Sequence, residues 1–205
     1  MTASARRRQL LEAAVELAER LGFSSFTMRD VAVAAGVSLG TLQYFYPSKD
    51  ELVRAVALEL ADQVVQVAGQ LPPGATDMRG VAGLDNLLTQ AVESWWGIIS
   101  STPTRRLVTY EIATNGIRGG GPILDTALLQ YRLNTAYITA MLVTCAEVAR
   151  VNWAIDVDEL GLFAMNFMDG YVLRWLLEPE ASPASAQRRT LVKAIVAFAV
   201  EGDAT

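Results

Sequence analysis

Histidine is absent from this 205-residue chain, and cysteine occurs once, at Cys145. Without imidazole and with a single thiol, the usual soft metal sites and His-based general bases are excluded, and no internal disulfide is possible. A reducing cytoplasm is the expected compartment. Charged residues are sparse, at 19%, and the balance is acidic, −5. No stretch approaches the roughly 18 uncharged apolar residues of a membrane span. Glu12, Glu16 and Glu19 interrupt the segment after Arg6-Arg7-Arg8, so neither a secretory leader nor a membrane partner is expected. Gly119-Gly120-Gly121 is followed by neither Lys-Ser/Thr nor a Rossmann context, which makes it an interhelical break rather than a phosphate cradle. Only Asp, Glu, Lys and Tyr chemistry remains, and these residues form no catalytic constellation, so an enzyme, a cofactor or a bound metal is not expected.

Hydrophobic residues make up 52% of the chain, enough for a substantial core. The acidic balance is uneven: residues 1–50 carry +1 and residues 51–205 carry −6. Basic charge is therefore biased toward the N-terminal segment, where Arg6, Arg7, Arg8, Arg29 and Lys49 form either a local positive surface or, for the Arg6–Arg8 run, a solvated terminus.

That segment contains Thr27 to Lys49, TMRDVAVAAGVSLGTLQYFYPSK, which reads as two short helices joined by a tight turn. Thr27 and Asp30 have capping-box spacing, and Met28, Val31, Ala32 and Ala35 face inward. Gly36 ends the first helix, Val37 plugs the gap, and Ser38 caps the second helix. In that helix Leu42 and Phe45 are expected inside, leaving Leu39, Gly40, Thr41, Gln43 and Tyr44 outside. Gln reads adenine bidentately, Thr reaches a phosphate or a thymine methyl, and Tyr gives a phosphate contact or a stacking surface. Pro47 stops the helix, Ser48 caps the next, and Lys49 is placed to hold a phosphate. An ordinary helical hairpin shares the turn chemistry but not this exposed polar set.

Arg6 to about Leu60 also resembles the DNA-binding domain of the TetR family of bacterial repressors. The resemblance rests on Leu21-Gly22, Phe23, Phe26-Thr27, Ala35-Gly36-Val37-Ser38, Gly40-Thr41-Leu42, Tyr46-Pro47-Ser48-Lys49 and Glu51-Leu52. It implies DNA contact by Arg29 from the first motif helix, base or backbone contact by Leu39, Gly40, Thr41, Gln43 and Tyr44, and phosphate contact by Thr27, Ser38 and Lys49. Gln43 stands where the family usually has Tyr, and Tyr46 where it usually has Phe, so the base preference does not carry over.

The fold expected is all-α, with no convincing strand: a helix-turn-helix domain at 1–48, a connecting helix at 49–71, and a helical effector-binding and dimerisation domain at 72–205. In the first helix Leu10, Ala14, Leu17 and Leu21 share a face. Pro72-Pro73-Gly74 ends the connecting helix, and the segment to about Gly83 reads as a linker. Helices are expected at 84–101, 104–118, 122–151, 158–178 and 185–201. The last two carry apolar stripes, Phe163, Phe167, Tyr171 and Trp175 on one and Leu191, Ile195 and Phe198 on the other, suited either to the chain's own core or to a homodimer contact. A two-fold dimer presents two readers to a near-palindromic DNA operator, and the resemblance implies the same role for these helices. In the middle, Trp96, Tyr110, Asn134, Tyr137 and Met141 suit the walls of a small-molecule effector site or a normal core edge, and Arg106 and Glu111 either add an ionic contact or form a surface pair. The function expected is a DNA-binding regulator, a repressor released by a small hydrophobic or aromatic ligand, with a ligand-independent architectural protein as the alternative.

Overall fold

In the computed structural model, which describes residues 2–68, 74–179 and 184–202, most of the described residues are helical. The helices are α1 (Ala3–Leu21), α2 (Met28–Ala34), α3 (Leu39–Phe45), α4 (Lys49–Ala68), α5 (Gly80–Ser101), α6 (Pro103–Gly119), α7 (Gly121–Ala149), α8 (Val157–Leu177) and α9 (Ala184–Val196), with a single 3₁₀ turn at Ala75–Asp77. The all-α class holds. The expectation of no strand does not: β1 (Val151–Trp153) and β2 (Ala199–Glu201) pair antiparallel, with Asn152 opposite Val200. Three-residue strands are too short to display the period of two by which a strand is read from sequence.

Contacts divide the chain into two compact units. The first comprises Met1–Gln63 and Thr102–Tyr131. Its core joins Leu10, Ala14 and Leu17 of α1, Val31 of α2, Leu42 of α3, Leu52 and Val56 of α4 and Val108 and Ile112 of α6, with Phe26 and Tyr46 from the connections. α6 and the start of α7 thus group with the N-terminal helices, a grouping that cuts across a sequence division at residue 72. Leu21, expected on the buried face of α1, is 46% exposed, because the helix ends there and Gly22 turns the chain away. Gln130 anchors α7 in this unit by donating to the Ala57 carbonyl (3.1 Å).

The second unit comprises Val64–Ser101 and Arg132–Thr205. α5 packs against α9 and the β-ribbon, and α9 against α8. Leu84, Leu87, Leu88, Ile99, Leu142, Leu160, Leu191 and Ile195 are buried here. The stretch to Gly83, which reads as a linker, is largely ordered: α5 begins at Gly80, and a Cβ on Gly83 would lie 2.6 Å from the Met78 carbonyl carbon. Small residues that look like a linker here serve close packing. α9 stops at Val196, five residues earlier than its apolar spacing suggests. Its last turn tightens when the Phe198 N–H bonds the Ile195 carbonyl (3.0 Å), and the Phe198 carbonyl accepts from Ala154 (2.8 Å). The end of the connecting helix near Leu71 and the Pro72-Pro73 break lie outside the described residues.

Candidate nucleic-acid interface

The α2–turn–α3 segment is built as its side chains dictate. Thr27 Oγ1 accepts the Asp30 N–H (3.2 Å), and Asp30 Oδ2 accepts both the Thr27 N–H (2.8 Å) and the Thr27 hydroxyl (2.7 Å), completing the capping box. These bonds from Thr27 hold the Asp30 carboxyl below its ordinary value of 3.8. Gly36 adopts φ +65°, a conformation that penalises any residue with a Cβ. Ser38 Oγ then accepts the Thr41 N–H (3.1 Å) and shares a hydrogen bond with Thr41 Oγ1 (2.9 Å), opening α3.

Burial fixes which way α3 faces. Leu42 is fully buried and Tyr46 nearly so, whereas Phe45, expected inside, is half-buried against the ring of Tyr44 (centroids 5.1 Å apart). Gly40, Gln43 and Tyr44 are exposed, Tyr44 to 81%, and Leu39 and Thr41 are half-buried. Arg29 is exposed on α2. A short helix therefore presents an amide and a phenol to solvent from a rigid base, the chemistry that addresses base edges and phosphates.

Two helices brace that base. From α1, Gln9 Nε2 donates to the Ala35 carbonyl in the turn (3.0 Å), while the Tyr46 hydroxyl donates to the Arg7 carbonyl (3.3 Å) beneath the Arg7 guanidinium (4.8 Å). From α6, the Glu111 carboxylate accepts the Phe23 N–H, Ser24 hydrogen-bonds Asn115 (3.3 Å), and Arg105 pairs with Glu19 of α1. Sequence reasoning missed this bracing, since partners more than 80 positions apart leave no local signal. Glu111, considered for a pair with Arg106, instead holds the α1–α2 connection.

The basic residues have mixed employment. Arg6, Arg7 and Arg8 lie within α1, where Arg6 donates to Gln9 (2.8 Å) and Arg8 pairs with Glu12 (3.0 Å). Lys49 Nζ donates to the Phe26 carbonyl (2.8 Å) and sits over the Phe26 ring (5.0 Å), so this half-buried amine at the head of α4 is fixed near the turn.

In the second unit, Trp96 belongs to a packed aromatic cluster: its ring centroid lies 5.0 Å from those of both Tyr171 and Trp175. Arg188 lies over it at 5.0 Å, only 6% exposed, with its charge met by Glu93 (2.9 and 2.7 Å) and the Tyr171 hydroxyl (2.9 Å). Asn134, Tyr137 and Met141 are half-buried along one side of α7. The Tyr137 hydroxyl is shut from solvent without a hydrogen-bond partner among the described residues, and burial, then the nearby Cys145, raises its pKa. Tyr110 is half-buried on α6, in the first unit. Of the apolar stripes, Tyr171, Leu191 and Ile195 are buried within the chain itself, Phe167 and Trp175 are half-buried, and Phe163 and Phe198 are exposed.

Comparison with known proteins agrees with this geometry. Residues 10–56 match the family described as bacterial regulatory proteins, tetR family. The nicotine-responsive transcriptional repressor HdnoR of Paenarthrobacter nicotinovorans is 27% identical over 176 residues, 85% of each chain. A tetR-family transcriptional regulator from Streptomyces coelicolor superposes with a TM-score of 0.73 at 16% identity, covering 97% of this chain and 82% of that one. The regulator FadR of Bacillus subtilis, solved with stearoyl-CoA, gives 0.70 at 14%, covering 93% and 98%. With the reader's caps, turn and exposed helix in place, residues 10–56 are those of a tetR-family DNA-binding segment, and the rest of the chain shares the fold of solved tetR-family regulators.

Proposed function

We propose that this DNA-binding transcriptional regulator acts in the cytoplasm as a homodimeric repressor, without catalytic activity, and that a small, mainly hydrophobic molecule releases it from a near-palindromic operator. The observation that carries the reading is the orientation of α3: Leu42 and Tyr46 anchor it, while Gln43 and Tyr44 project into solvent. By the family resemblance Arg29, Leu39, Gly40 and Thr41 complete the DNA contacts, and Thr27, Ser38 and Lys49 hold phosphates. Because the Thr27 hydroxyl is directed at Asp30, its role is chiefly to order the backbone N–H groups of α2.

The effector half of the proposal draws on Tyr137, whose buried hydroxyl lacks a partner, and on the half-buried Asn134 and Met141 beside it. A buried polar atom left unsatisfied is costly, and a ligand that pairs with it recovers the loss. That one relative is named nicotine-responsive and one neighbour holds stearoyl-CoA supports an organic effector. Release needs only differential affinity. A ligand favouring the non-binding state 100-fold shifts the equilibrium by about 2.7 kcal/mol. The enclosure of Trp96 by Tyr171, Trp175 and Arg188 favours the second reading, a solid domain without ligand control.

A mobility-shift titration on duplex DNA flanking the gene, repeated with a panel of hydrophobic small molecules, tests both halves. Specific binding that some compounds abolish is expected. No specific binding at modest salt removes the repressor, and binding that no compound disturbs selects the ligand-independent reading.

A further inference from the structure

α6 carries four charged side chains, and three are cations: Arg105, Arg106 and Arg118 against Glu111. Arg105 turns toward α1 and pairs with Glu19, and Glu111 is taken up by the Phe23 amide. Arg106, the next residue along and so about 100° around the helix, faces elsewhere. Its Nε is shut from solvent and has no hydrogen-bond partner, and none of the ion pairs among the described residues includes it. Burial lowers its pKa, Tyr110 one turn further on acts in the opposite sense, and Arg105 adds to the lowering. A guanidinium does not shed its proton to escape such a position, so on this half-buried side chain Nε stays an orphaned donor and the charge has no ion-pair partner among the described residues. Arg188 in the second unit shows how this chain treats a shielded guanidinium that serves structure: both faces of the fork are met by Glu93 and a third contact by Tyr171.

We propose that the first unit has an anion seat of its own, in which a carboxylate, sulfonate or phosphate group is held on the Arg106 guanidinium with the Tyr110 phenol alongside. The inference rests on the reading of this regulator as ligand-responsive and gives the class of ligand this unit would take: an amphipathic molecule with one apolar body and one acidic head. The planar fork of Arg matches such a head with two parallel hydrogen bonds, which an ammonium does not reproduce. Because Arg106 shares α6 with Arg105, Glu111 and Asn115, the anion would pull on the helix that braces the α1–α2 connection.

The test is thermal unfolding of the full chain, which requires no operator, so its failure leaves the repressor reading standing. Octanoate, benzoate and octyl phosphate are compared with octanamide, benzamide and octylamine at matched concentrations, on wild type, R106Q, R106M and R106K. At least one acid is expected to raise the wild-type Tm where its amide and the amine do not. R106Q and R106M are expected to need about tenfold or more of the acid for the same rise, and R106K to fall between them and the wild type. Without probe, R106M is expected to melt no lower than wild type, since it removes an unpaired charge. Amides or amine acting as well as acids, no response to any acid, an undiminished response in R106Q and R106M, or a marked loss of Tm in both apo variants would each overturn the proposal.

Discussion

Gln43 and Tyr44 project from α3 while Leu42 between the two turns is sealed in the core, so the chemistry of recognition can be altered without touching what holds it. Gln43→Ala is expected to weaken cognate DNA by about 1 to 3 kcal/mol and leave nonspecific binding nearly intact; equal losses in an anisotropy titration would mean that the amide reads no base. Lys49→Ala should lower both together and flatten the salt dependence by about one phosphate contact. It should also lower Tm, because the Phe26 carbonyl loses its donor. Thr27→Ala removes the capping box and should cost roughly 0.5 to 2 kcal/mol in urea unfolding. Since the Asp30 pKa is lowered in the folded state, this capping contribution is fully present above the ordinary value of 3.8 and fades as pH falls below it. Cys145 tests the other sign. Burial raises its pKa to about 11 from 9.0, so native protein should resist thiol reagents at pH 8, and stability should decline as pH climbs between those values.

At the scale of elements, most of the reader was legible in the sequence. Caps, a glycine at the turn and the spacing of Val31 and Leu42 are local signals with local causes, whereas the burial of Tyr46 in the place expected for Phe45 was not read. The ordinary helices were also legible, to within a few residues at their ends. What was not legible depends on partners distant in sequence. Glu111 and Asn115 sit on α6 with nothing in their neighbourhood to say that they grip Phe23 and Ser24. Arg188 and Glu93 lie 95 residues apart. The ribbon between Val151 and Glu201 is too short to announce itself, and Gly83 reads as linker although its missing Cβ admits the Met78 backbone. Gly83→Ala should therefore cost about 1 to 3 kcal/mol by crowding a backbone that has little room to retreat. Among the candidate effector residues, sequence composition could not separate Trp96, enclosed by its own aromatic neighbours, from Tyr137, whose hydroxyl is left without a partner.

For the whole molecule, the decisive property is that a homodimer would offer two such readers to one duplex. α8 exposes Leu162, Phe163, Leu173 and Leu177, the last to 72%, a row of large apolar side chains that water does not favour. Phe163→Arg with Leu177→Arg is expected to make the proposed homodimer monomeric in size-exclusion chromatography with light scattering, and with it to lose most operator affinity. The most direct measurement of the central claim is an anisotropy titration of the wild-type chain, at physiological salt, on the duplex flanking its gene and on a shuffled duplex of equal composition. The account predicts binding to the flanking duplex about a thousandfold tighter or more. Equal affinity for the two duplexes would contradict it.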